Sequence, residues 1–471
     1  MTDLTAHPWF FCGIGGSGML PLATILRGLG AEVAGSDRSR DQGRTPEKFA
    51  WLERQGFALF PQDGSGVTSA KQTLVASAAI EDTVPEIARA AQLGCPRMSR
   101  AELLAALFNA APVGVAVGGT SGKSTVTGML GWILHQAGRD PTIMNGAVMK
   151  NFVDADTPFA SARVGANDSG ASEVFVSEVD ESDGSIALYR PEVAVLLNVS
   201  LDHKEMAELR TLFGDFLAAA PVAAVNLDDP ESAALAVRAR EVIGFAIDAP
   251  ARISVSKWSD SPGGVAATVT DRQDQSSHAL SLQMPGRHNL ANALAAVAGA
   301  VAAGIATAEA VAALGSFTGI GRRFDVIGTS PGGITVIDDF GHNPEKCRAT
   351  LRTLKAHTGR VIAFFQPHGY GPLKQMGHEL ALTFAEELGP EDVTILCDPV
   401  YFGGTVDRSE GSERIVGLIE EAGGNAEYLP EREACGDRIV ELARPGDRIV
   451  VMGARDDTLT TFAKDVLARL L

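Results

Sequence analysis

The stretch Val113 to Leu130 contains residue types that are typical of phosphate binding. An apolar run rich in valine leads into Gly118-Gly119-Thr120-Ser121-Gly122-Lys123-Ser124-Thr125, and helical spacing follows. Glycines let backbone N–H groups approach a phosphate, and the dipole at a helix N-terminus favours negative charge. Lys123 would reach the outer phosphates, and the Ser124 hydroxyl would bind Mg²⁺. The pattern therefore predicts binding of nucleotide phosphates, although Val117 stands where the general consensus has glycine.

A second glycine pattern lies near the start of the chain. Phe10 to Gly18 predicts a strand that runs into Gly13-x-Gly15-x-x-Gly18, and a helix, a second strand and Asp37 follow. A β-α-β unit with an acid about twenty residues after the glycines binds the phosphates and ribose of a nucleotide. On its own this pattern suits a nicotinamide-dependent dehydrogenase. Hydride transfer, however, needs no second phosphate loop such as the one at residue 118.

Polar groups follow two apolar strands in the middle third. Residues 174–176 lead into Ser177-Glu178-Val179-Asp180-Glu181-Ser182-Asp183, and residues 193–199 lead into Ser200-Leu201-Asp202-His203. A carboxylate delivered by a buried strand beside a phosphate loop is a common way to hold Mg²⁺ in ATPases. The alternative is a solvated acidic turn. Because ligands of open α/β sheets bind at the carboxyl ends of strands, we expect a metal and nucleotide site here.

The last polar motifs begin a long helix or follow strands. His288, Asn289 and Asn292 open an alanine-rich helix, and side chains three or four residues apart share a helical face. Four further strands are predicted at 334–337, 360–365, 393–396 and 448–452, and each ends in a polar loop. Strands that alternate with helical stretches predict an α/β fold with a third parallel sheet in this part.

Composition limits the class of protein. The chain has 471 residues, 45% hydrophobic and 21% charged, and this is typical of soluble globular proteins with about three domains. The net charge of −18 argues against a nucleic-acid surface. Five scattered cysteines favour neither disulfides nor a zinc site, so we expect a reduced, cytoplasmic setting. The apolar run 293–306 is shorter than the ~20 residues of a membrane span, so it predicts a buried core helix.

In chain order, these motifs resemble the Mur ligase family, and within it most closely the branch of UDP-N-acetylmuramate–L-alanine ligases. The resemblance rests on G-I-G-G-S-G-M, S-D at 36–37, G-G-T-S-G-K-S-T, E-V-D-E-S-D-G-S, N-V-S-L-D-H, G-R-H-N-L-A-N-A, G-I-G-R-R-F-D, D-D-F-G-H-N-P and F-Q-P-H-G-Y. It implies a Rossmann-like domain for a UDP-sugar (1–112), a P-loop ATPase domain (113–320) and a Rossmann-like amino-acid domain (321–471). The implied reaction is ATP-driven amide formation between a UDP-sugar acid and an amino acid, through an acyl phosphate, in peptidoglycan precursor synthesis. A monomer or homodimer without nucleic-acid or membrane partners is expected.

The resemblance also implies roles for individual residues. The UDP-sugar would be held by Gly15, Gly16, Ser17, Gly18, Asp37 and Ser77. ATP would be held by Gly119 to Thr125, His288, Asn289, Asn292, Arg323 and Asp339. Mg²⁺ or Mn²⁺ would be held by Ser124, Glu178 and His203. The catalytic set would be Lys123, Glu178, His203, Arg323 and His342, and the amino acid would lie near His342, His368 and Tyr370.

Some positions depart from the alanine-adding branch. That branch usually has histidine where Ser121 stands, a second histidine at Asn343 and arginine at Gly369, and its D-H-x-D pattern ends here in Glu205. The H-N-P form is similar to that of folylpolyglutamate and cyanophycin ligases. L-Alanine is the expected amine, and a related ligase for another amino acid or a recycled murein peptide stays open. A catalytically inactive, regulatory binding protein is the other alternative, although Lys123 and the predicted metal ligands are all present.

Overall fold

The computed structural model describes residues 4–77, 80–166, 172–201, 204–400 and 410–471 of an α/β protein with three sheets. The chain divides into two compact units. The first comprises Met1–Ser259, Val265–Gln283 and Asn289–Gly319, and the second comprises Asp260–Gly264, Met284–His288 and Ile320–Leu471. The α/β fold with three sheets confirms the predicted fold class, whereas the domain boundaries at 112 and 320 stay predictions.

The first sheet has five strands, and every pair is parallel in the order β3-β2-β1-β4-β5. Its elements are β1 (Trp9–Cys12), α1 (Met19–Gly28), β2 (Val33–Ser36), α2 (Arg38–Asp41), α3 (Pro46–Arg54), β3 (Ala58–Phe60), β4 (Thr73–Ala76), α4 (Pro85–Leu93), β5 (Arg97–Ser99) and α5 (Arg100–Ala110). Trp9 and Phe11 pack in one apolar cluster, and Phe10 and Cys12 pack in another. Both faces of β1 are therefore buried, as its continuous apolar run predicts.

The second sheet has ten strands in the order β15-β14-β13-β12-β11-β10-β6-β9-β7-β8. Its first elements are β6 (Val113–Gly118), α6 (Lys123–Gln136), β7 (Thr142–Met144), β8 (Ala162–Arg163), β9 (Val174–Glu178), β10 (Val193–Leu196), α7 (Met206–Ala219), β11 (Val222–Asn226), α8 (Pro230–Leu235) and β12 (Glu241–Ala246). The rest are β13 (Ile253–Ser261), β14 (Gly264–Asp271), β15 (Ser276–Leu282), α9 (Arg287–Ala302) and α10 (Thr307–Leu314), with short 3₁₀ turns at Lys150–Phe152, Ser185–Leu188 and Ala236–Arg238.

The centre of the second sheet is parallel and its margins are antiparallel. β6 lies between β10 and β9, and both pairings are parallel. The pairs β7–β8 and β14–β15 are antiparallel. Sequence reasoning placed β6, β9 and β10 but did not identify β7, β8 or β11 to β15. Of these, β14 and β15 alternate buried and more exposed residues over much of their length. The alanine-rich part of α9 is buried, which confirms the predicted core helix.

The third sheet has six strands in the order β16-β17-β21-β18-β19-β20. Its elements are β16 (Asp325–Thr329), β17 (Thr335–Asp339), α11 (Pro344–Lys355), β18 (Val361–Gln366), α12 (Tyr370–Glu387), β19 (Val393–Leu396), α13 (Ser412–Glu421), β20 (Ala426–Tyr428), α14 (Arg432–Leu442), β21 (Arg448–Gly453) and α15 (Thr458–Ala468).

The prediction of a wholly parallel third sheet is wrong at one edge, where β16 pairs antiparallel with β17. The chain turns back within a few residues, because Ser330 N donates to the Ile334 carbonyl at 2.9 Å and Gly333 takes a positive φ of 76°. A connection this short can only join antiparallel neighbours. Across the ranges that the structure describes, no helix is both long and apolar enough to cross a membrane.

Candidate functional site

The phosphate loop between β6 and α6 is fixed by backbone geometry and by one asparagine. Gly119 and Gly122 have φ of 139° and 90°, in the region that favours glycine. A side chain at Gly119 would approach the Leu197 Cβ to 3.0 Å. Thr120 N donates to the Asn198 carbonyl at 3.1 Å, and Ser121 N donates to Asn198 Oδ1 at 2.8 Å. The loop therefore follows the end of β10 closely, and Asn198 is a site residue to which sequence reasoning gave no role.

Lys123 is the first residue of α6, and its side chain has two acceptors. Its Nζ donates to the Gly119 carbonyl and to Glu181 Oε2, each at 2.7 Å. The Glu181 side chain is 6% exposed and that of Lys123 is 19% exposed, so this ion pair is well shielded from water. Sequence reasoning gave Glu181 no role, although its place in the acidic run three residues after Glu178 was the available signal.

Two side-chain oxygen donors, from Ser124 and Glu178, meet beside this loop. Ser124 Oγ donates to Glu178 Oε2 at 2.8 Å, and Asn145 Nδ2 donates to the Ser124 carbonyl at 2.9 Å. Glu178 reaches this position because β9 pairs with β6, with Glu178 opposite Val117. Hydroxyl and carboxylate oxygens are the hard donors that Mg²⁺ prefers, so these two side chains fit the ion.

His203, the third predicted metal ligand, lies outside the described residues, as does Asp202. Within the part of the chain that the structure describes, no group of three or more His, Cys, Asp or Glu side chains has metal-binding geometry. A metal site built from described residues therefore relies on Ser124 and Glu178.

The three polar residues at the start of α9 have different neighbours. A side chain at Gly122 would meet Asn292 Oδ1 at 2.6 Å, so Asn292 lies against the phosphate loop. Asn289 is buried, at 2% exposure. His288 Nδ1 lies 3.3 Å from Thr353 Oγ1, and burial lowers the pKa of His288. Of the three, Asn292 is the residue whose side chain the structure places at the loop.

The glycine turn after β1 is held by Asp37, which follows β2. Gly15 N donates to Asp37 Oδ2 and Ser39 N donates to Asp37 Oδ1, each at 2.8 Å. The turn exposes Gly16 and Ser17 and leaves Gly18 half-buried. Ser77 is exposed directly after β4, and β4 is the other neighbour of β1 in the sheet. The structure thus brings the predicted UDP-sugar residues to one edge of the first sheet.

A buried lysine also contacts this turn. Lys48, from α3, is 8% exposed and its Nζ donates to the Gly15 carbonyl at 3.3 Å. Sequence reasoning gave Lys48 no role, because nothing in the local pattern links α3 to residue 15.

In the second unit, Asp339 organises the loop around it. Asp339 accepts hydrogen bonds from Phe324 N at 2.8 Å, Gly341 N at 2.9 Å and Thr350 Oγ1 at 2.8 Å. The Arg323 guanidinium lies over the Phe340 ring, 4.2 Å from its centroid. The described contacts of Asp339 are therefore with its own unit.

Two predicted amino-acid residues meet at a small pocket. The rings of His342 and His368 are nearly perpendicular, with centroids 5.1 Å apart. His342 Nδ1 lies 2.9 Å from the Phe340 carbonyl, so Nδ1 carries the proton and Nε2 keeps its lone pair. Burial, with smaller contributions from nearby positive charges, lowers the pKa of His342 to about 3. The pocket is lined by His342, Phe365, Pro367, His368, Gly369, Pro372, Leu373, Met376 and Leu380, and half-buried Tyr370 starts α12 beside it.

Comparison with known families gives matches along most of the chain. The profile described as "Mur ligase family, catalytic domain" matches residues 10–111. "Mur ligase middle domain" matches residues 117–300, and "Mur ligase, glutamate ligase domain" matches residues 322–455.

Individual relatives agree with these matches. A UDP-N-acetylmuramate–L-alanine ligase of Pelotomaculum thermopropionicum is 35% identical over 457 residues, covering 95% of this chain and 94% of that protein. The protein of the same name from Clavibacter michiganensis subsp. michiganensis is 34% identical over 455 residues, covering 95% of this chain and 90% of its own.

Among solved structures, the UDP-N-acetylmuramate–alanine ligase of Thermotoga maritima has the same fold. Its TM-score is 0.79 at 22% identity, and the match covers 98% of this chain and 99% of that one. A murein peptide ligase from Psychrobacter arcticus has a TM-score of 0.72 at 25% identity and covers 99% of both chains. The family resemblance inferred from the motifs is thereby confirmed: the chain belongs to the Mur ligase family.

Proposed function

We propose that this protein is an ATP-dependent ligase that joins L-alanine to the carboxylate of UDP-N-acetylmuramic acid, a step in peptidoglycan precursor synthesis. Relatives of that name, 34–35% identical over 95% of the chain, support the substrates. The observation that carries the proposal is the geometry at the start of α6. There the structure places the Lys123 ammonium group beside the glycine loop and the Ser124 hydroxyl 2.8 Å from Glu178, an arrangement that suits phosphates and a metal ion.

The first half of the reaction makes the carboxylate an acyl donor. A carboxylate oxygen of the sugar attacks the γ-phosphorus of ATP, the bond to the β-phosphate oxygen breaks, and ADP leaves. Lys123 and the N–H groups at the start of α6 would face the phosphates, where charge accumulates as one anion attacks another. In the second half the amino group attacks the acyl carbon, phosphate leaves, and the amide remains.

We propose that Mg²⁺ or Mn²⁺ is held by Ser124 and Glu178, with His203 as a third ligand on the strength of the family resemblance. When bound, the ion offsets negative charge on the transferring phosphoryl group. Asn145 fixes the backbone at Ser124, and the close approach of Gly146 to Glu178 leaves no room for a side chain there. The two oxygen donors are therefore positioned by their surroundings.

The sugar nucleotide is proposed to bind at the glycine turn, Gly15 to Gly18, with Asp37 and Ser77 beside it. Both Asp37 oxygens already accept backbone N–H groups, so this residue shapes the turn. A carboxylate has about four acceptor sites, which leaves further lone pairs for a ribose hydroxyl.

His342, His368 and Tyr370 are proposed to receive the amino acid. A histidine with a pKa of about 3 is a poor base at neutral pH, so His342 binds as a neutral acceptor through Nε2 rather than removing a proton. The apolar residues of the pocket, such as Leu373 and Met376, suit a small methyl side chain. Arg323 and Asp339 are proposed to act at the nucleotide. The hydrogen bonds that Asp339 accepts support a role for this residue in shaping its own loop.

Phosphate release identifies the amine. UDP-N-acetylmuramic acid and ATP are supplied with each of the twenty amino acids and with a murein-derived peptide. We expect L-alanine to give the highest rate. Phosphate release with the peptide but with no single amino acid would favour the second candidate, a murein peptide ligase. The similarity to the Psychrobacter arcticus structure supports this second candidate. If none of these acceptors supports phosphate release, both candidate functions are contradicted.

A further inference from the structure

Arg100 lies over the glycine turn of the first sheet. It is the first residue of α5, after Ser99. The helix start is fixed by a capping box, in which Glu102 N donates to Ser99 Oγ at 3.1 Å and Ser99 N donates to Glu102 Oε2 at 2.8 Å. A side chain at Gly18 would approach Arg100 Cδ to 3.0 Å and its Nε to 3.4 Å. The guanidinium is therefore held beside the turn by a rigid element.

The two carboxylates nearest to the Arg100 guanidinium lie beyond hydrogen-bond distance. Its Nη2 lies 4.0 Å from Asp180 Oδ2 and 3.8 Å from Asp183 Oδ2, and the Arg100 side chain is 26% exposed. These distances are longer than hydrogen bonds, which for N–H donors lie near 2.9 Å. A guanidinium offers five N–H donors in a planar fork, so these two contacts leave most of its donor capacity for a further acceptor.

Asp180 and Asp183 belong to the acidic loop, residues 178–183, which also supplies the partners of Ser124 and Lys123. Arg100 contacts both this acidic loop and the glycine turn, where Gly16 and Ser17 are exposed.

We propose that Arg100 binds the diphosphate of the sugar nucleotide at the glycine turn. The parallel N–H groups of a guanidinium match two oxygens of one phosphate, which an ammonium group cannot do. Lys48, whose Nζ donates to the Gly15 carbonyl, adds positive charge at the same turn. This inference rests on the proposed function, because the glycine turn must be the sugar-nucleotide site for Arg100 to act in this way.

The test compares the Kd of UDP with that of uridine by calorimetry. In Arg100→Gln the Kd of UDP should rise about 10-fold or more, as loss of a charge-assisted hydrogen bond predicts. Uridine lacks phosphates, so its Kd should not change. The Kd of UDP for Arg100→Lys should lie between those of the wild type and Arg100→Gln, because lysine keeps the positive charge but lacks the planar pair of N–H donors. Arg97→Gln is the matched control, since Arg97, at the start of β5, forms an exposed ion pair with Asp82 in the turn before α4.

Asp183→Asn provides a variant with the opposite expected effect. It removes a carboxylate that attracts Arg100 and repels the diphosphate, and it keeps an acceptor for Ser185 N. The Kd of UDP should therefore fall a few-fold. A purely structural role for Arg100 predicts equal weakening of UDP and uridine in Arg100→Gln, and no gain in Asp183→Asn.

The two proposals fail in different ways. If the wild-type protein binds UDP and Arg100→Gln binds it equally well, the role of Arg100 is wrong and the proposed function stands. If the wild-type protein binds no UDP, both are contradicted. Should Arg100→Gln not fold, Arg100→Lys and Asp183→Asn still decide the question.

Discussion

The contact between Lys123 and Glu181 predicts that Glu181→Gln tightens ATP binding. Lys123 Nζ is 2.7 Å from Glu181 Oε2, and both side chains are well shielded. A lysine that turns to the outer phosphates must give up this carboxylate. Glutamine keeps an acceptor for the ammonium group but removes the negative charge, and an ion pair of this kind is worth up to about 1 kcal/mol. Release of Lys123 from residue 181 should therefore become easier by about 1 kcal/mol, or roughly 5-fold in the Kd of ATP.

The assay is calorimetric titration with a non-hydrolysable ATP analogue and Mg²⁺. Glu192→Gln is the control, because Glu192 is exposed and lies before β10, away from the loop. A higher Kd of the ATP analogue in Glu181→Gln would refute the idea that Lys123 leaves Glu181 when the phosphates bind. In that case Glu181 keeps its bond to Lys123 while the phosphates are bound and orients the ammonium toward them.

Three further variants test other parts of the site. Lys123→Ala should lower turnover by at least about 10²-fold while the Kd of UDP stays unchanged, and more residual activity would contradict its role at the phosphates. Glu178→Gln should raise the Mg²⁺ concentration needed for half-maximal rate, and an unchanged requirement would exclude Glu178 as a ligand. His342→Gln should reduce acid sensitivity. Native His342 stays neutral down to a pKa of about 3, whereas in the unfolded chain it gains a proton below 6.5. The wild-type free energy of unfolding therefore falls between pH 6.5 and 3. Urea unfolding at pH 7 and 5 should give a smaller difference for His342→Gln, and an equal difference would argue against the buried neutral ring.

Local sequence patterns were sufficient to predict the glycine turn, the phosphate loop and β9, the strand that ends at Glu178. These features depend on neighbouring residues, since glycine at positive φ, a buried valine run and a following helix all lie within one short segment. The parallel order around β6 follows from alternating strands and helices.

Other features depend on parts of the chain that are distant in sequence. Lys48 reaches Gly15 from α3, and Arg100 reaches Gly18 from α5, so no local spacing could indicate either contact. The antiparallel pairing of β16 depends on the turn near Gly333, which the strand pattern alone did not specify. The antiparallel pair β14–β15 at one margin of the second sheet was missed because its alternation of buried and exposed residues is weaker than a continuous apolar run.

The central claim is that ATP activates the carboxylate of the sugar as an acyl phosphate. The most direct measurement uses UDP-N-acetylmuramic acid labelled with ¹⁸O in its carboxylate, incubated with ATP, Mg²⁺ and L-alanine. Mass spectrometry of the released inorganic phosphate then follows the label. The account predicts that each phosphate released carries one oxygen from the carboxylate, because the P–O bond formed in the first step survives when the amine displaces phosphate. Unlabelled phosphate accompanied by amide product would contradict it.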